Sequence, residues 1–351
     1  MPGNASLLIN KQKIENFKSF SVQANLYRAD AGFQMELSNP ETTIVPAQRC
    51  ELQINGITEL NGIIDKTEKK YSKEETSFSI EGRSLMGLLV DSYCEKFITL
   101  PNVKLKDLTN TLLKNVPYIN RKNIVYQQDV AGSMKSKRPP LTIFSDADNP
   151  QALSQILPNM TIFDVLKQYS MSQGLLFYNL PDGTFVFGTP KSSGSAVFSI
   201  VLKKDGKNNN AKSVHCIQDY SRRYSKVVVT RQMQGTDMMG IPDLNDEYPL
   251  PDPTFPFYKP FVTQNEFPTQ TLKHCAAMIM DHQKHDSFRL MYKVPGFSQN
   301  GKNWAINELC HVVDEINGLD DTYLIYGRTF ELSKSEGAQT TLQLGYKGGK
   351  Y

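Results

Sequence analysis

The sequence predicts a β-rich α+β protein in which two similar small β-barrels are combined with two α/β domains. Three observations support this fold class. Alternating apolar residues dominate both ends of the chain, helical stripes occur in the middle, and one strand-and-turn pattern near the start recurs near the end. Alternation with period two is typical of half-buried strands, whereas apolar residues three and four apart are typical of helices.

The first barrel is predicted over residues 1–95. Its strands include FQMEL, CELQI and SFSIEG, each with alternating apolar residues. Asn55-Gly56 and Asn61-Gly62 are predicted as tight turns of a β-meander, because both residues of an Asn-Gly pair tolerate positive φ. The mixed charge run at 66–75 is interpreted as a solvated hairpin end rather than a binding patch, and RSLMGLLVDSY as a short capping helix.

A separate α/β domain is predicted over residues 96–190. KLKDLTNTLLKNV carries a stripe of leucines, and IFDVLKQYSMSQG forms a second helix that should end at Gly174. Two strands joined by Pro181-Asp182-Gly183 follow this helix. Residues 127–150 are polar and rich in proline, so we predict a long inserted loop there.

The second barrel is predicted to be discontinuous, with residues 191–230 and 290–351 on either side of an inserted loop-plus-helix domain at 231–289. Within this insertion, residues 240–268 hold seven of the nineteen prolines, interleaved with aromatic residues. We expect an ordered surface loop without regular structure there. A docking segment for a neighbouring chain is the alternative interpretation.

The repeated pattern pairs ELQING at 51–56 with VDEING at 313–318. In each copy an apolar strand, a charged hairpin end and an alternating strand follow. The alignment needs a two-residue shift, so a chance resemblance between two β-meanders stays open. If one barrel is built twice, three chains in a cyclic ring present six similar units. Asn55-Gly56 and Asn317-Gly318 would then occupy equivalent turns, and these turns would be scaffold rather than a ligand site.

Composition narrows the possible functions. A chain of 351 residues predicts two to four domains, and a net charge of +3 is too small to indicate nucleic-acid or membrane binding. The sequence has no run of 18 apolar residues and no signal-like start, so we expect folding in a cytoplasm. Its five cysteines are scattered singly, which predicts free, mostly buried thiols.

Motifs of the common enzyme classes are absent, including G-x-S-x-G, G-x-G-x-x-G, the P-loop and H-E-x-x-H. His274, His282 and His285 lie near one another on a predicted helix, but the opposite face carries its apolar residues. We therefore expect exposed histidines, with a metal site as the weaker alternative. The carboxylate pairs Asp320-Asp321 and Asp146/Asp148 occur in turn contexts, where Asp usually bonds to local backbone.

Trp304 is the only tryptophan, and we expect it to be a core or interface anchor rather than a sugar-stacking residue. It ends the stretch PGFSQNGKNW, which precedes Val312-Val313-Asp314, Tyr-Leu-Ile at 323–325 and a final Thr-x-Leu-x-Leu at 340–344. The N-terminal part contains ING, NGIID, EGRS and LVD in that order, and MTIFDVLKQYSMSQGLLFY with a Pro-Asp-Gly hairpin follows.

This order of motifs resembles the baseplate hub proteins of Mu-like contractile-tailed phages, the tail protein P family, which is related to the hub part of type VI secretion spikes. The resemblance covers most of the chain. Two departures are that Ala305-Ile306-Asn307 replaces the usual proline-asparagine after the tryptophan, and that the loops 127–150 and 240–268 are longer than expected. Both leave partner contacts open.

The resemblance implies a homotrimeric ring with pseudo-six-fold symmetry, which adapts a hexameric tail tube above to a trimeric spike below. Other baseplate proteins would be further partners, and DNA would pass through the channel without sequence-specific binding. It implies no catalytic residue, cofactor, metal or membrane insertion. We expect the following residues to form turns or core positions of the barrels: Asn55, Gly56, Asn61, Gly62, Asp65, Gly82, Trp304, Asn317 and Gly318.

The sequence thus predicts a structural hub protein of a phage, prophage or tailocin particle, located in the virion tail baseplate and assembled in the host bacterial cytoplasm. The alternatives are a tail-associated hydrolase of the cell wall and a carbohydrate-binding tail protein. A hydrolase would need a deep cleft with paired carboxylates. A carbohydrate-binding protein would use aromatic residues such as Phe257 and Tyr258.

Overall fold

The computed structural model describes residues 4–348, apart from residues 11, 30, 39–42, 74–75, 97, 100–103, 127–154, 157, 173, 234–243 and 266–270. The predicted inserted loop at 127–150 therefore lies outside the described residues, as do Asp146 and Asp148.

The described part of the chain is mostly β-structure. Its strands are β1 Ala5–Ile9, β2 Gln12–Ile14, β3 Phe17–Asn25, β4 Gly32–Leu37, β5 Arg49–Ile54, β6 Ile57–Tyr71, β7 Thr76–Ser84, β8 Ile98–Thr99, β9 Val125–Tyr126, β10 Gln155–Ile156, β11 Leu176–Asn179, β12 Phe185–Gly188, β13 Phe198–Leu202, β14 Ser213–Gln218, β15 Lys226–Met233, β16 Leu244–Pro251, β17 Pro260–Gln264, β18 Phe288–Pro295, β19 Ser298–Gln299, β20 Lys302–Asn303, β21 Glu308–Asp314, β22 Leu319–Ser333 and β23 Gly337–Gly345. Its α-helices are α1 Met86–Asp91, α2 Leu105–Leu112, α3 Ile162–Ser172 and α4 Leu272–Ser287.

Two groups of six strands share one strand order. In the first unit the order is β3-β4-β7-β6-β5-β1, and in the second unit it is β14-β18-β23-β22-β21-β13. The long strands β6 and β22 each have 15 residues. Each shifts register against its neighbour near its middle, between Ile64 and Lys66 in β6 and between Ile325 and Gly327 in β22. The strand order therefore repeats within the chain.

The two units form one continuous sheet. Strand β3 of the first unit pairs antiparallel with β22 of the second, from Phe20 opposite Leu332 to Asn25 opposite Gly327. One buried apolar cluster includes residues of both units, such as Phe33 and Leu52 from the first and Tyr292 and Phe330 from the second. The described strand order ends at β14 and β2, so closure of either unit into a barrel stays a prediction.

The units differ where their last strand joins. Strand β1 pairs antiparallel with β5, whereas β13 pairs parallel with β21. The sequence analysis also did not predict β14, which pairs antiparallel with β18 along its whole length.

The helices predicted in the middle of the chain are confirmed. Helix α1 lies within RSLMGLLVDSY, and α2 and α3 carry the predicted apolar stripes into a buried cluster with β11 and β12. Gly174 ends α3 with φ +68°, and its N–H donates to the carbonyl oxygen of Met171 at 2.9 Å. Gly183 has φ +87° in the turn between β11 and β12, and the rings of Phe177 and Phe187 stack at 4.4 Å.

The expectation for residues 240–268 is wrong. Strands β16 and β17 lie in this segment and pair with β15 on its two sides, antiparallel and parallel respectively. Both are edge strands of this sheet. Proline is tolerated there because its missing N–H can face away from the neighbouring strand, where the sheet needs no hydrogen bond. Helix α4 packs on this three-stranded sheet through Leu272, Cys275 and Ala276. Strand β15 crosses position 230, at which the sequence analysis divides the second barrel from the insertion.

Candidate functional site

The turn at Asn55-Gly56 connects the first unit to the second. Both residues have positive φ, +54° and +75°, and Ile54 lies directly opposite Ile57, so this is the two-residue hairpin turn that Asn-Gly predicts. The side-chain amide of Asn55 donates to Oδ1 of Asn303 at 2.8 Å. A turn of the first unit thus contacts the short hairpin β19–β20 beside the second unit.

A polar network joins Asn55 in this turn to three buried residues, and we name these four residues the joint network: Asn55, Glu59, Asn303 and Arg328. Asn303 Nδ2 donates to the carbonyl oxygen of Ile54 at 2.9 Å and to Glu59 Oε1 at 2.7 Å. Arg328 Nη1 donates to the other carboxylate oxygen of Glu59. Glu59 belongs to the long strand of the first unit and Arg328 to that of the second, so an ion pair crosses between the units.

Both members of this ion pair are buried. Glu59 is 5% exposed and Arg328 is 2% exposed. A buried charge is tolerated when its desolvation is offset by a partner and by hydrogen bonds. Arg328 obtains these from Glu59, from the carbonyl oxygen of Trp304 at 2.7 Å, and from the ring of Phe330, whose centroid lies 3.9 Å from its Cζ. Nε and Nη2 of Arg328 have no hydrogen-bond partner among the described residues. The ion pair ties the long strands of the two units to one another.

Trp304 lies in the core beside this network. It is 2% exposed, its backbone N–H donates to the carbonyl oxygen of Phe297 at 3.0 Å, and its ring packs on Phe198 with centroids 4.6 Å apart. This environment is that of a core anchor.

The prediction of a turn at Asn61-Gly62 is wrong, because both residues lie within β6. A Cβ on Gly62 would meet the carbonyl oxygen of Arg83 at 1.9 Å, so glycine here permits close approach of β6 and β7. Asn61 accepts from Arg49 Nε at 3.3 Å and donates to the carbonyl oxygen of Asp182 at 3.0 Å. It thereby ties the first unit to the Pro-Asp-Gly hairpin.

Asp65 and Gly82 occur where β6 shifts register against β7. Asp65 lies at the shift, and its carboxylate accepts from Arg83 Nε at 2.8 Å. Arg83 also reaches Asp91 at the end of α1, and this hydrogen bond lowers the pKa of Asp91. A Cβ on Gly82 would meet the carbonyl oxygen of Ile63 at 2.4 Å, so this glycine also allows close strand approach.

Asn317-Gly318 lies in the turn between β21 and β22, which corresponds in strand order to the turn at Asn55-Gly56. Gly318 has φ +66°, but four residues rather than two separate the paired Asp314 and Leu319. The turn is organised by the buried Asp314, which accepts from Ile316 N at 2.8 Å, Asn317 Nδ2 at 2.7 Å and the Tyr292 hydroxyl at 2.6 Å.

The sequence analysis missed the residues that organise the joint and the second turn: Glu59, Asn303, Asp314 and Arg328. Arg328 had a sequence signal, because it is the one charged residue in the largely apolar stretch TYLIYGRTF. Buried charges are rare unless paired, so such a residue predicts a buried partner. The partner Glu59 cannot be identified from the sequence, because it lies at the other end of the chain.

The histidines do not form a shared site, and the expectation that all three are exposed is wrong for His285. This residue is 3% exposed and packs edge-on against Tyr27 and Tyr326, with ring centroids 4.9 and 4.8 Å away. His282 lies 3.2 Å from Asp286. Across the described residues, no group of three or more His, Cys, Asp or Glu side chains could hold a metal ion.

The structure also gives the surroundings of the cysteines and of the carboxylate pair Asp320-Asp321. All five cysteines are thiols rather than halves of disulfides, and four are buried. Burial raises the pKa of Cys50 and of Cys310 to about 12, so neither is a thiolate near neutral pH. Asp320 and Asp321 are exposed and lie beside His311 and Lys347 respectively. None of the helices within the described ranges is long and apolar enough to cross a membrane.

Two family models match the ends of the chain. Residues 4–84 match the N-terminal domain of the Mu phage baseplate assembly protein GpP-like family, and residues 282–348 match a tail protein C-terminal domain. A comparison with curated proteins finds no match. The two matched ranges contain the first unit and most of the second.

Solved structures extend the similarity to the whole chain. The tail protein from Neisseria meningitidis MC58 has a TM-score of 0.81 and 22% identity, over 99% of this chain and 98% of that chain. The 43 kDa tail protein of prophage MuSo2 from Shewanella oneidensis has a TM-score of 0.76 and 20% identity, over 98% of both chains. A component of the Escherichia coli type VI secretion system has a TM-score of 0.60 and 11% identity, over 98% of this chain and 78% of that chain.

The resemblance to Mu-like baseplate proteins predicted from the sequence is therefore confirmed. The two ends of the chain match family models of phage baseplate and tail proteins, and the whole chain has the β-rich fold of the solved tail proteins.

Proposed function

We propose that this protein is the baseplate hub of a contractile tail, on a phage, prophage or tailocin particle. The observation that carries the proposal is the repeated strand order of the two six-stranded units within one chain. Three copies in a cyclic ring present six similar units, so one face can meet a six-fold tail tube while the assembly itself matches a three-fold spike.

In this proposal the two units are the barrels of the ring, over residues 1–95 and over 191–230 with 290–351. Residues 96–190 and 231–289 form the outer domains. The joint network supports this arrangement, because adjacent units in a six-fold ring must keep a defined relative orientation. The buried Glu59–Arg328 pair supplies that constraint between the two units of one chain.

Contacts between subunits would use the open ends of the sheet. The described sheet has open edges at β2, β13 and β14. Unpaired strand edges invite association with another strand, so a ring that covers them also protects the protein from aggregation. The ring would be a homotrimer with the spike below, the tube above, other baseplate proteins around it, and DNA passing through its channel.

Two alternatives receive less support. A cell-wall hydrolase would need two carboxylates free to act as acid and base. The described residues that line the cleft beside α4, however, include one carboxylate, Asp281. A carbohydrate-binding protein is favoured only by the exposure of Phe257 and Tyr258. We therefore propose a non-enzymatic role without cofactors.

Electron microscopy of the purified protein across a concentration series tests the proposal. We expect rings of three chains with a central hole and six lobes. If the protein is monomeric alone, co-expression with the trimeric spike protein of the same particle should produce the ring. Monomers under both conditions, or rings with another number of chains, would overturn the hub proposal.

A further inference from the structure

The register shift shared by β6 and β22 aligns the two units residue by residue. Lys66 is the first paired residue after the shift in β6, and Gly327 is the first after the shift in β22. Following the strand pairs outward from these two residues matches Glu81 with Gln343, Gln34 with Met291, and Ser21 with His215. Strand β14 is therefore the counterpart of β3.

Burial supports this alignment. The matched positions that are buried in both units are Phe33 with Leu290, Met35 with Tyr292, and Ile80 with Leu342. A shift of one residue would place each buried side chain on the opposite face of the sheet, so the alignment has the correct register.

One contact between the units is made within the chain, and its counterpart is not. Strand β3 pairs with residues 327–332, in the second half of β22. The counterpart would join β14 to residues 66–71, in the second half of β6. In the described part of the chain, residues 66–71 pair with β7 alone and β14 pairs with β18 alone. Each segment therefore has one side on which its backbone can pair with a further strand.

We propose that β14 of one chain pairs antiparallel with residues 66–71 of a second copy of this chain, in the register that β3 and β22 use. Val214 would then lie opposite Tyr71 of the second copy, and Cys216 opposite Lys69 of the second copy. Each chain carries both halves of the contact, so it joins copies head to tail and can close into a ring. Only the number of chains, three, rests on the hub proposal.

Tyr71 supports this choice of partner. Its side chain is 87% exposed at the last position of β6, whereas tyrosine is enriched at protein interfaces. Residues directly opposite each other in an antiparallel pair lie on one face of the sheet. Val214 packs against the buried cluster shared by the two units, so Tyr71 of the second copy would extend that cluster. Within the chain, Leu332 has the same position opposite Phe20.

The contact between copies should be weaker than the contact within the chain. Thr67 occupies the position that corresponds to Arg328, so the buried ion pair of the joint network has no counterpart. Lys66 would lie opposite Asp219, but it already lies 3.4 Å from Glu81 in its own chain. We therefore expect association that depends on protein concentration.

Disulfide cross-linking of the full chain tests the register, because Cys216 is a native, partly exposed thiol in β14. Lys69→Cys places a second thiol directly opposite it. Opposite residues of antiparallel strands have Cα atoms about 4.5–5.5 Å apart, which suits a disulfide. Diamide, as the oxidant, takes up the two electrons and two protons that the thiols lose. We expect covalent multimers on a non-reducing gel, about ten-fold more than from Lys70→Cys.

Lys70→Cys is the matched control, because neighbouring residues of a strand point to opposite faces of the sheet. Adding Cys216→Ser to Lys69→Cys should remove the cross-link. The samples are prepared at the highest soluble concentration, with and without the spike protein. Equal cross-linking of Lys69→Cys and Lys70→Cys, or none from either, would overturn the proposed contact.

Sedimentation velocity gives a second test that needs no new thiol. Tyr71→Ser should raise the dissociation constant of self-association about ten-fold. Tyr258→Ser should leave it unchanged, because Tyr258 is 78% exposed on a different sheet. Equal effects of the two substitutions would contradict the proposed position of Tyr71.

Electron microscopy of the cross-linked samples separates this proposal from the hub proposal. Rings of three chains without the Lys69→Cys cross-link would support the hub and exclude this strand contact. The cross-link in open filaments, or in rings with another number of chains, would support the strand contact and exclude the hub.

Discussion

At the scale of single residues, Arg328 has the most demanding environment of the joint network. Its guanidinium is almost fully buried and obtains its charge partner from Glu59 in the other unit. Replacing one member of such a pair leaves the other charge buried and uncompensated, whereas replacing both with apolar residues removes the desolvation cost as well. The effects of the two substitutions should therefore be strongly non-additive.

We expect Arg328→Met to lower the free energy of unfolding by about 3–5 kcal/mol, and Glu59→Leu by a similar amount. The double variant should recover much of this loss. Urea unfolding followed by the fluorescence of Trp304 measures all three, because the carbonyl oxygen of this residue accepts from Arg328. The exposed pair Lys13–Glu15 is the control, and Lys13→Ala there should cost less than about 1 kcal/mol. Additive losses would show that the ion pair does not couple the units.

At the scale of elements, identical dipeptides have different structural roles. Asn55-Gly56 makes a turn and Asn61-Gly62 lies inside a strand, although local sequence gives both the same prediction. The difference comes from tertiary structure. Gly62 faces the backbone of Arg83 on the neighbouring strand β7, and the dipeptide alone does not show where that strand lies. Likewise, the prolines of 240–268 are unfavourable in central strands, but β16 and β17 in this segment are edge strands on the two sides of β15.

The two glycines should respond differently to alanine. Gly62→Ala should destabilise the first unit by about 3 kcal/mol or more, because its Cβ would overlap the backbone of β7. Gly56→Ala should cost about 1 kcal/mol, since nothing lies within 4 Å and the cost comes from positive φ alone. Circular dichroism during urea unfolding compares the two. A larger loss for Gly56→Ala would contradict this interpretation.

The turn between β21 and β22 should be sensitive to acid through Asp314. Burial opposes ionisation of this carboxyl, but hydrogen bonds from Tyr292 and Asn317 outweigh it and lower its pKa. The pKa of Asp314 in the folded protein is below the unfolded value of about 3.9. The contribution of this carboxylate to the free energy of unfolding is therefore complete above that pH, and it is lost as the pH falls through the lower pKa of the folded protein. Asp314→Asn should therefore cost about 2–3 kcal/mol at pH 7.

The difference in unfolding free energy between Asp314→Asn and the unaltered protein should shrink as the pH falls below about 3.9. Thermal unfolding at several pH values measures this difference. Asp205→Asn is the matched control, because Asp205 is an exposed turn residue that accepts one backbone N–H, from Lys207 at 2.9 Å. A difference that stays constant across this range would rule out the proposed role of the charged form.

At the scale of the whole molecule, sequence periodicity located several of the longer strands and the helices, since alternation and helical stripes are local signals. The ELQING and VDEING comparison pointed to corresponding turns. Sequence did not reveal that β3 and β22 join the units, or that β15 leaves the second unit to pair with β16 and β17. Both depend on which strand edges meet in space. The organising residues of the joint escaped prediction for the same reason, because Glu59 and Arg328 are neighbours only in the folded protein.

The pairing of β3 with β22 also has a consequence for biosynthesis. Strand β3 emerges from the ribosome before β4, but the strand that completes its outer edge, β22, is made only after β4 to β21. Closing so long a stretch of chain carries an entropic cost and slows folding. Translation that stops before β22 leaves Phe20–Asn25 without that neighbour. Only a chain that extends through β22 can therefore form the continuous sheet.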